Sequence, residues 1–533
     1  MSDIIFARMN HRYKNYLPVL LILYLLAGIF LLPYFRYYIQ ADTLQYLSIS
    51  TKYANGSFYD AVNSYWSPLL CWLIALCIKI GMEPLHAMNL LLLLCGMISL
   101  IGIYKLLYKE NSIYFFLIYL SLTVGILGFA LLEKTSDLLF MTISIWYLVI
   151  LTTGKWFFQN KYSFIVIGSL GTILYVAKYP GFFIFFLSFS VYNLYHLLKK
   201  NYALKHISIQ YVKTILVFLA LSSVWIAIIS NKEGKFTISS TMKFNFNLIG
   251  PIVNPNVFAT MIFPLNETGL FPPATSTSLC AWESPGNIKY GEWQLLSSKK
   301  NILHYIKVVT RNVLSVQSFY FGKDHGTALV LLICCLFFVS KKKLQYIFLK
   351  NLLLLLMVLS FTLPYLLVLV EERYVWINNI LLAVIATHSI KAYLHLKRVL
   401  IGIFTIVYCI AMMDAPIDSF IHRDYVYKFN AVFQNKNDLI KYINGNIASI
   451  KFFSKIKNED YELSSYVSYV SSKPYYGMVK RNTPKDQLIK EFRKYNISYV
   501  LSWNQESRLS ADLYNEKRYF EGGLWVYKLN KFK

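Results

Sequence analysis

The stretch "SPLLCWLIALCIKIG" (67–81) decides how the chain threads a membrane. It is apolar, yet a spanning helix needs roughly 20 mostly apolar residues. It also opens on a proline and carries Lys79. These features predict a re-entrant or interfacial helix on the outer face rather than a crossing. The charge pattern tests this reading. With 67–81 left out of the count, every strongly basic short link falls on one side. Counted as a crossing, it inverts the order and puts "KK" (199–200) and "KKK" (341–343) outside, against the positive-inside tendency.

Working outward from that decision, the first span, 16–34, follows Arg8, Arg12 and Lys14 and runs outward. No small-residue cleavage site follows it, so it is expected to stay as a retained first helix. Spans are then predicted at 86–107, 113–132, 138–153, 163–179, 182–198, 213–230, 327–340, 347–370, 376–390 and 399–413. The expected fold is an α-helical polytopic membrane protein with about 11 transmembrane helices, outer juxtamembrane helices and a small C-terminal extracytoplasmic α/β domain. Its membrane domain covers 1–413, with a first outer loop at 35–85 and a long outer loop at 231–326. Within that loop, 301–321 has the spacing of an amphipathic surface helix. The tail is 414–533. There "KDQLIKEFRKYNISYVLSW" (485–503) reads as an amphipathic helix running into a strand. "EGGLWVYKLN" (521–530) reads as a strand after a Gly-Gly turn.

Composition agrees. The 533 residues are 56% hydrophobic, 17% aromatic and only 15% charged, with a mean hydropathy of +0.45. Soluble domains carry roughly 25% charged residues. The net charge of +26 is distributed largely over short links, which points to membrane lipids as partners and away from nucleic acid. The seven cysteines lie mostly in apolar runs and make no CxxC pair, so neither a disulfide framework nor a zinc site is expected. The sequence contains no Walker loop, dinucleotide fingerprint, HExxH or GxSxG. A nucleotide-fuelled transporter is disfavoured accordingly.

The threading places one set of charges at the outer helix ends: Asp42, the Glu133/Lys134/Asp137 group, Lys178 and the Glu371/Glu372/Arg373 group. Ionisable groups at membrane depth are costly and tend to be functional. Each also has an ordinary explanation. Asp137 suits an N-cap, Lys178 a snorkelling amine, and Arg373 an ion pair with Glu371 or Glu372. Asp60 reads as a turn residue, and Trp282 and Glu283 read as ordinary loop residues, with contact to the acceptor as the alternative. As a set, carboxylates with fixed cations suit transfer from a lipid-linked phosphate. A carboxylate takes the proton of an attacking hydroxyl, and Lys or Arg stabilises the departing phosphate.

Four segments carry a resemblance to the GT-C glycosyltransferases, particularly the protein O-mannosyltransferases and the lipid A aminoarabinose transferase. They are "ADTLQYLSISTKYANGSFYDAVNSYWSPLLCWLIAL" (41–76), "EKTSDLLFMTISIWYL" (133–148), "GSLGTILYVAKYPGFFIFF" (168–186) and "EERYVWINNILLAVIA" (371–386). The resemblance implies an inverting transfer from a polyprenyl-phosphate sugar to a glycan, lipid or protein acceptor. It implies Asp42 as the base or acceptor-positioning carboxylate and Asp137 as a second catalytic carboxylate, with Lys178, Arg373 and Tyr374 at the donor phosphate. Tyr46, one helical turn from Asp42, and Glu372 would position substrate. Thr43 stands where many relatives carry a second acid. No metal ligand is assigned, and a divalent metal is left open rather than required. The site and tail are expected outside a cytoplasmic membrane. The rival readings are a glycolipid flippase, and a glycan polymerase or ligase that uses a lipid-linked oligosaccharide.

Overall fold

A computed structural model of the chain describes residues 16–107, 113–152, 156–251, 269–288, 292–321, 341–393, 424–451, 459–504 and 509–530, with a few positions between 402 and 417. Helices dominate it. Among the described residues five are long and apolar enough to cross a membrane: Tyr16–Phe35, Pro84–Leu107, Phe115–Leu132, Gly181–Leu198 and Leu204–Glu233. Shorter apolar helices run over Pro68–Lys79, Asp137–Thr152, Ser163–Ala177 and Asn351–Leu366. The expected spans at 327–340 and, for the most part, 399–413 lie outside the described residues. The chain is thus a multi-helix membrane protein.

The 67–81 stretch forms a helix of 12 residues, Pro68–Lys79, with proline in its first turn. At about 1.5 Å per residue such a helix reaches only about 18 Å, short of the roughly 30 Å hydrocarbon core. It packs along the helix Ala41–Ala54.

The chain divides into two compact units. Unit 1 comprises Met1–Leu32, Leu90–Ala227 and Leu303–Ile421, and unit 2 comprises Pro33–Asn89, Ile228–Ile302 and His422–Lys533. Unit 1 is built of helices packed through aromatic side chains. Phe185 of Gly181–Leu198, for example, meets Phe218 of Leu204–Glu233 with ring centroids 4.5 Å apart. Small residues permit this close packing. A Cβ added at Gly181 would stand 2.4 Å from the carbonyl oxygen of Leu174, the same oxygen that accepts the Lys178 backbone N–H at 3.0 Å. Gly181 therefore sets the turn that carries Lys178. Gly181→Val is expected to lower stability by about 1–3 kcal/mol, read as thermal unfolding in detergent. An unchanged melting curve would show that the turn tolerates the added bulk.

Unit 2 holds a six-stranded sheet in the order β1-β3-β2-β4-β6-β5. Its strands are β1 (Gly269–Leu270), β2 (Asn446–Lys451), β3 (Tyr475–Lys480), β4 (Ile497–Trp503), β5 (Tyr514–Phe520) and β6 (Leu524–Leu529). β2 runs parallel to both β3 and β4, so each return requires a crossover. The helices Glu459–Ser471 and Lys485–Lys494 lie in those connections. The β5–β6 hairpin turns at Gly522 and Gly523, both at φ +83, a left-handed conformation that glycine adopts without strain. Lys485–Lys494 and the strand after it fall where the polar and apolar spacing of 485–503 predicts them. The edge strand β1 comes from the long loop, which the loop's composition does not foretell.

Candidate functional site

Asp42 lies in the first turn of the helix Ala41–Ala54, where a negative charge meets the positive end of the helix dipole. The helix start is pinned twice. Thr43 Oγ1 accepts the Gln40 N–H at 3.2 Å, and Glu462 Oε1 accepts the Ala41 N–H at 3.4 Å. Thr43 is fully buried. Its hydroxyl performs a capping role there, and a second carboxylate in its place would lie in that buried setting. Tyr46 is one turn on and buried, edge-on to Trp66 at 5.3 Å.

The partner of Asp42 comes from the long loop. Trp282 Nε1 donates to Asp42 Oδ1 at 3.0 Å. The Trp282 indole is walled by Tyr65, Trp66 and Phe244, with centroids 5.7, 5.9 and 5.7 Å away. Its carbonyl accepts the Trp66 indole N–H at 3.2 Å. The next residue, Glu283, is buried and forms an ion pair with Lys52 of the Asp42 helix. The same carboxylate accepts Ser48 Oγ at 2.8 Å and the Leu279 N–H at 2.9 Å. The Glu283 carbonyl accepts Asn63 Nδ2 at 2.7 Å. Apart from the internal Leu279 bond, these bonds tie 282–283 to the segment 42–66. Burial pushes the neighbouring Cys280 thiol up to about 11, which keeps it protonated and inert beside Gln45. Trp282→Phe keeps the aromatic packing and removes the indole donor. Hydrogen bonds to charged groups contribute about 1.5–3 kcal/mol. The substitution is therefore expected to lower thermal stability in detergent by about that amount, and an unchanged melting curve would show that the bond contributes nothing to the fold.

Asp137, Lys178, Arg373 and Tyr374 converge within unit 1. Asp137 opens the helix Asp137–Thr152. Its side chain does not close a helix end; Oδ2 accepts Thr135 Oγ1 at 2.8 Å and Oδ1 pairs with Lys178. Lys178 sits at the C-cap of Ser163–Ala177. Only 13% of its side chain is exposed, so the amine is drawn into the protein rather than out to water. It lies 3.8 Å from the centroid of the Tyr374 ring, a cation–π distance. Tyr374 in turn stacks on Tyr365 at 4.8 Å. Arg373 bonds Glu371 Oε2 through Nε and Nη2, each at 2.8 Å, and stands 3.8 Å from both Asp137 and Glu133. Glu372 begins the 3-10 turn Glu372–Val375.

Two cations are thus held by carboxylates and an aromatic face in a largely buried setting. Such a group is preorganised to meet an anion that spreads its charge over several oxygens. Asp42 and Tyr46 belong to unit 2. Among the described residues no three His, Cys, Asp or Glu side chains gather as a metal-binding group. Sequence inspection does not find the Lys52–Glu283 pair, and it treats Trp282 as ordinary loop. The only signal is a Trp-Glu dipeptide in a Pro/Gly-punctuated run.

The fold and these charged groups define a multi-helix membrane protein with a buried cluster of paired charges. No protein-family model matches the sequence, and no curated protein matches it significantly. Among solved structures the chain is similar to the crystal structure of ArnT from Cupriavidus metallidurans bound to undecaprenyl phosphate. The TM-score is 0.52 at 9% identity, over 95% of this chain and 97% of that one. At that identity the likeness establishes a shared fold. It agrees with the resemblance carried by the four sequence segments.

Proposed function

We propose that the protein is a membrane glycosyltransferase that moves a sugar from a polyprenyl-phosphate donor to an acceptor hydroxyl on the extracytoplasmic face. One observation carries the proposal: the Asp137–Lys178–Arg373–Tyr374 group occurs in the fold of a protein bound to undecaprenyl phosphate.

Asp42 acts as the general base. It takes the proton of the acceptor hydroxyl as the oxygen attacks the anomeric carbon from the face opposite the phosphate. The new carbon–oxygen bond forms while the bond from that carbon to the phosphate oxygen breaks, which inverts the configuration. Trp282 and Tyr46 fix the geometry around Asp42. Lys178 and Arg373 stabilise the negative charge that grows on the departing polyprenyl phosphate. Asp137 holds both cations in place before the donor arrives, and Tyr374 gives Lys178 an aromatic face. Glu372 positions substrate beside them. The membrane domain comprises 1–413, with loops 35–85 and 231–326 and the tail 414–533 on the extracytoplasmic side of the cytoplasmic membrane.

The test compares donors in proteoliposomes: a polyprenyl-phosphate monosaccharide, a polyprenyl-linked oligosaccharide, and the same monosaccharide lipid without acceptor. Transfer of one sugar from the first donor supports the proposal. Transfer of intact oligosaccharide identifies a polymerase or ligase. Movement of the lipid between leaflets without transfer identifies a flippase.

A further inference from the structure

Unit 2 contains a cavity of about 450 Å³, within the roughly 300–1,000 Å³ of small-molecule sites. Its walls come from the helix Ala41–Ala54, the loop run 276–279 and the tail. On that helix the cavity takes Ser48, Thr51 and Lys52. At about 100° per residue Thr51 stands on the side opposite Asp42, whereas Tyr46 and Ile49 share the side of Asp42. Ser48 and Lys52 stand about 120° and 80° round from Asp42, and Asp42 is not among the residues that line the cavity.

Its chemistry is specific. Lys52 is already neutralised by Glu283. Lys436, Lys473 and Glu83 also line it, and the Glu83 carboxylate accepts the His86 N–H at 2.8 Å. The walls thus carry an excess of one positive charge. The Tyr466 and Tyr469 rings lie nearly parallel, 6.5 Å apart at 17°, and both line the cavity. Tyr466 is 1% exposed, and its hydroxyl has no hydrogen-bond partner among the described residues. The hydroxyls of Ser48, Thr51 and the 276–278 run both donate and accept. Aromatic faces, dense hydroxyls and ammonium groups suit a polyhydroxylated ring that bears an anion.

We propose that this cavity binds a saccharide carrying a phosphate or carboxylate, at a site separate from the transfer chemistry. The proposal goes beyond the glycosyltransferase assignment and does not depend on it, because it requires no donor lipid. The test is calorimetric titration of the full chain in detergent with glucose 6-phosphate, glucuronate, glucose and inorganic phosphate. At least one of the two anionic sugars is expected to bind tenfold or more tightly than both glucose and inorganic phosphate. Lys436→Glu/Lys473→Glu is expected to weaken that binding at least tenfold, and Asp42→Asn to leave it unchanged. Both lysines are partly exposed, and gel filtration checks folding. If the double variant fails to fold, Lys473→Gln alone is expected to weaken binding several-fold. Inorganic phosphate binding as tightly as the sugars would overturn the proposal, as would wild-type affinity in the lysine variants or no binding of either anionic sugar.

Discussion

Asp42→Asn is expected to reduce sugar transfer about 10²- to 10⁴-fold, the range contributed by a positioned general base. The substitution changes little else. The Asn side-chain oxygen still accepts the Trp282 indole N–H, now 3.0 Å from Oδ1, and the capping bond from Gln40 to Thr43 is untouched. The loss therefore falls on kcat, with the donor KM unchanged and only a small drop in melting temperature from the lost charge at the helix start. Asp42→Glu keeps the carboxylate but moves it by one methylene, and partial activity is expected from it. Equal losses in kcat and in folded protein would instead make Asp42 a structural residue.

The second large effect concerns Lys178. Lys178→Met removes the amine that pairs with Asp137 and leaves that carboxylate with Arg373 at 3.8 Å and Thr135 at 2.8 Å. Breaking a buried pair at one end costs about 3–5 kcal/mol, because the remaining charge stays desolvated. A marked drop in thermal stability is expected in detergent. The double substitution Asp137→Asn/Lys178→Met removes both charges and is expected to recover most of that stability. Activity separates structure from function here. The double variant should stay at least 100-fold below wild type, with weakened binding of polyprenyl phosphate, since the cation proposed to meet the donor is gone. A stable double variant with normal donor binding would remove Lys178 from the donor site.

Much of this architecture was legible because hydropathy is a strong, local signal. The helices Tyr16–Phe35, Pro84–Leu107 and Leu204–Glu233 fall on long apolar runs, and the shortness of Pro68–Lys79 follows from counting residues against bilayer thickness. The β6 strand follows from its glycine turn. The polar contacts were less legible. Trp282 and Asp42 are 240 residues apart, and no periodicity links such positions. The strand β1, only two residues long, carries no alternation to read. Local rules also compete. An aspartate before an apolar run suggests an N-cap, yet Asp137 meets Lys178 and Arg373 because burying the two cations requires a carboxylate beside them. For Arg373 the local expectation of a partner in the same short segment matches Glu371, and Asp137 adds a second carboxylate from a distant helix.

The central claim is glycosyl transfer from a lipid phosphate. Its most direct measurement supplies purified protein in proteoliposomes with a polyprenyl-phosphate sugar labelled in the sugar, and follows both products. The account predicts labelled acceptor of inverted anomeric configuration together with one free polyprenyl phosphate per sugar moved, and neither product with Asp42→Asn. Labelled acceptor with retained configuration, or wild-type product from Asp42→Asn, would contradict it.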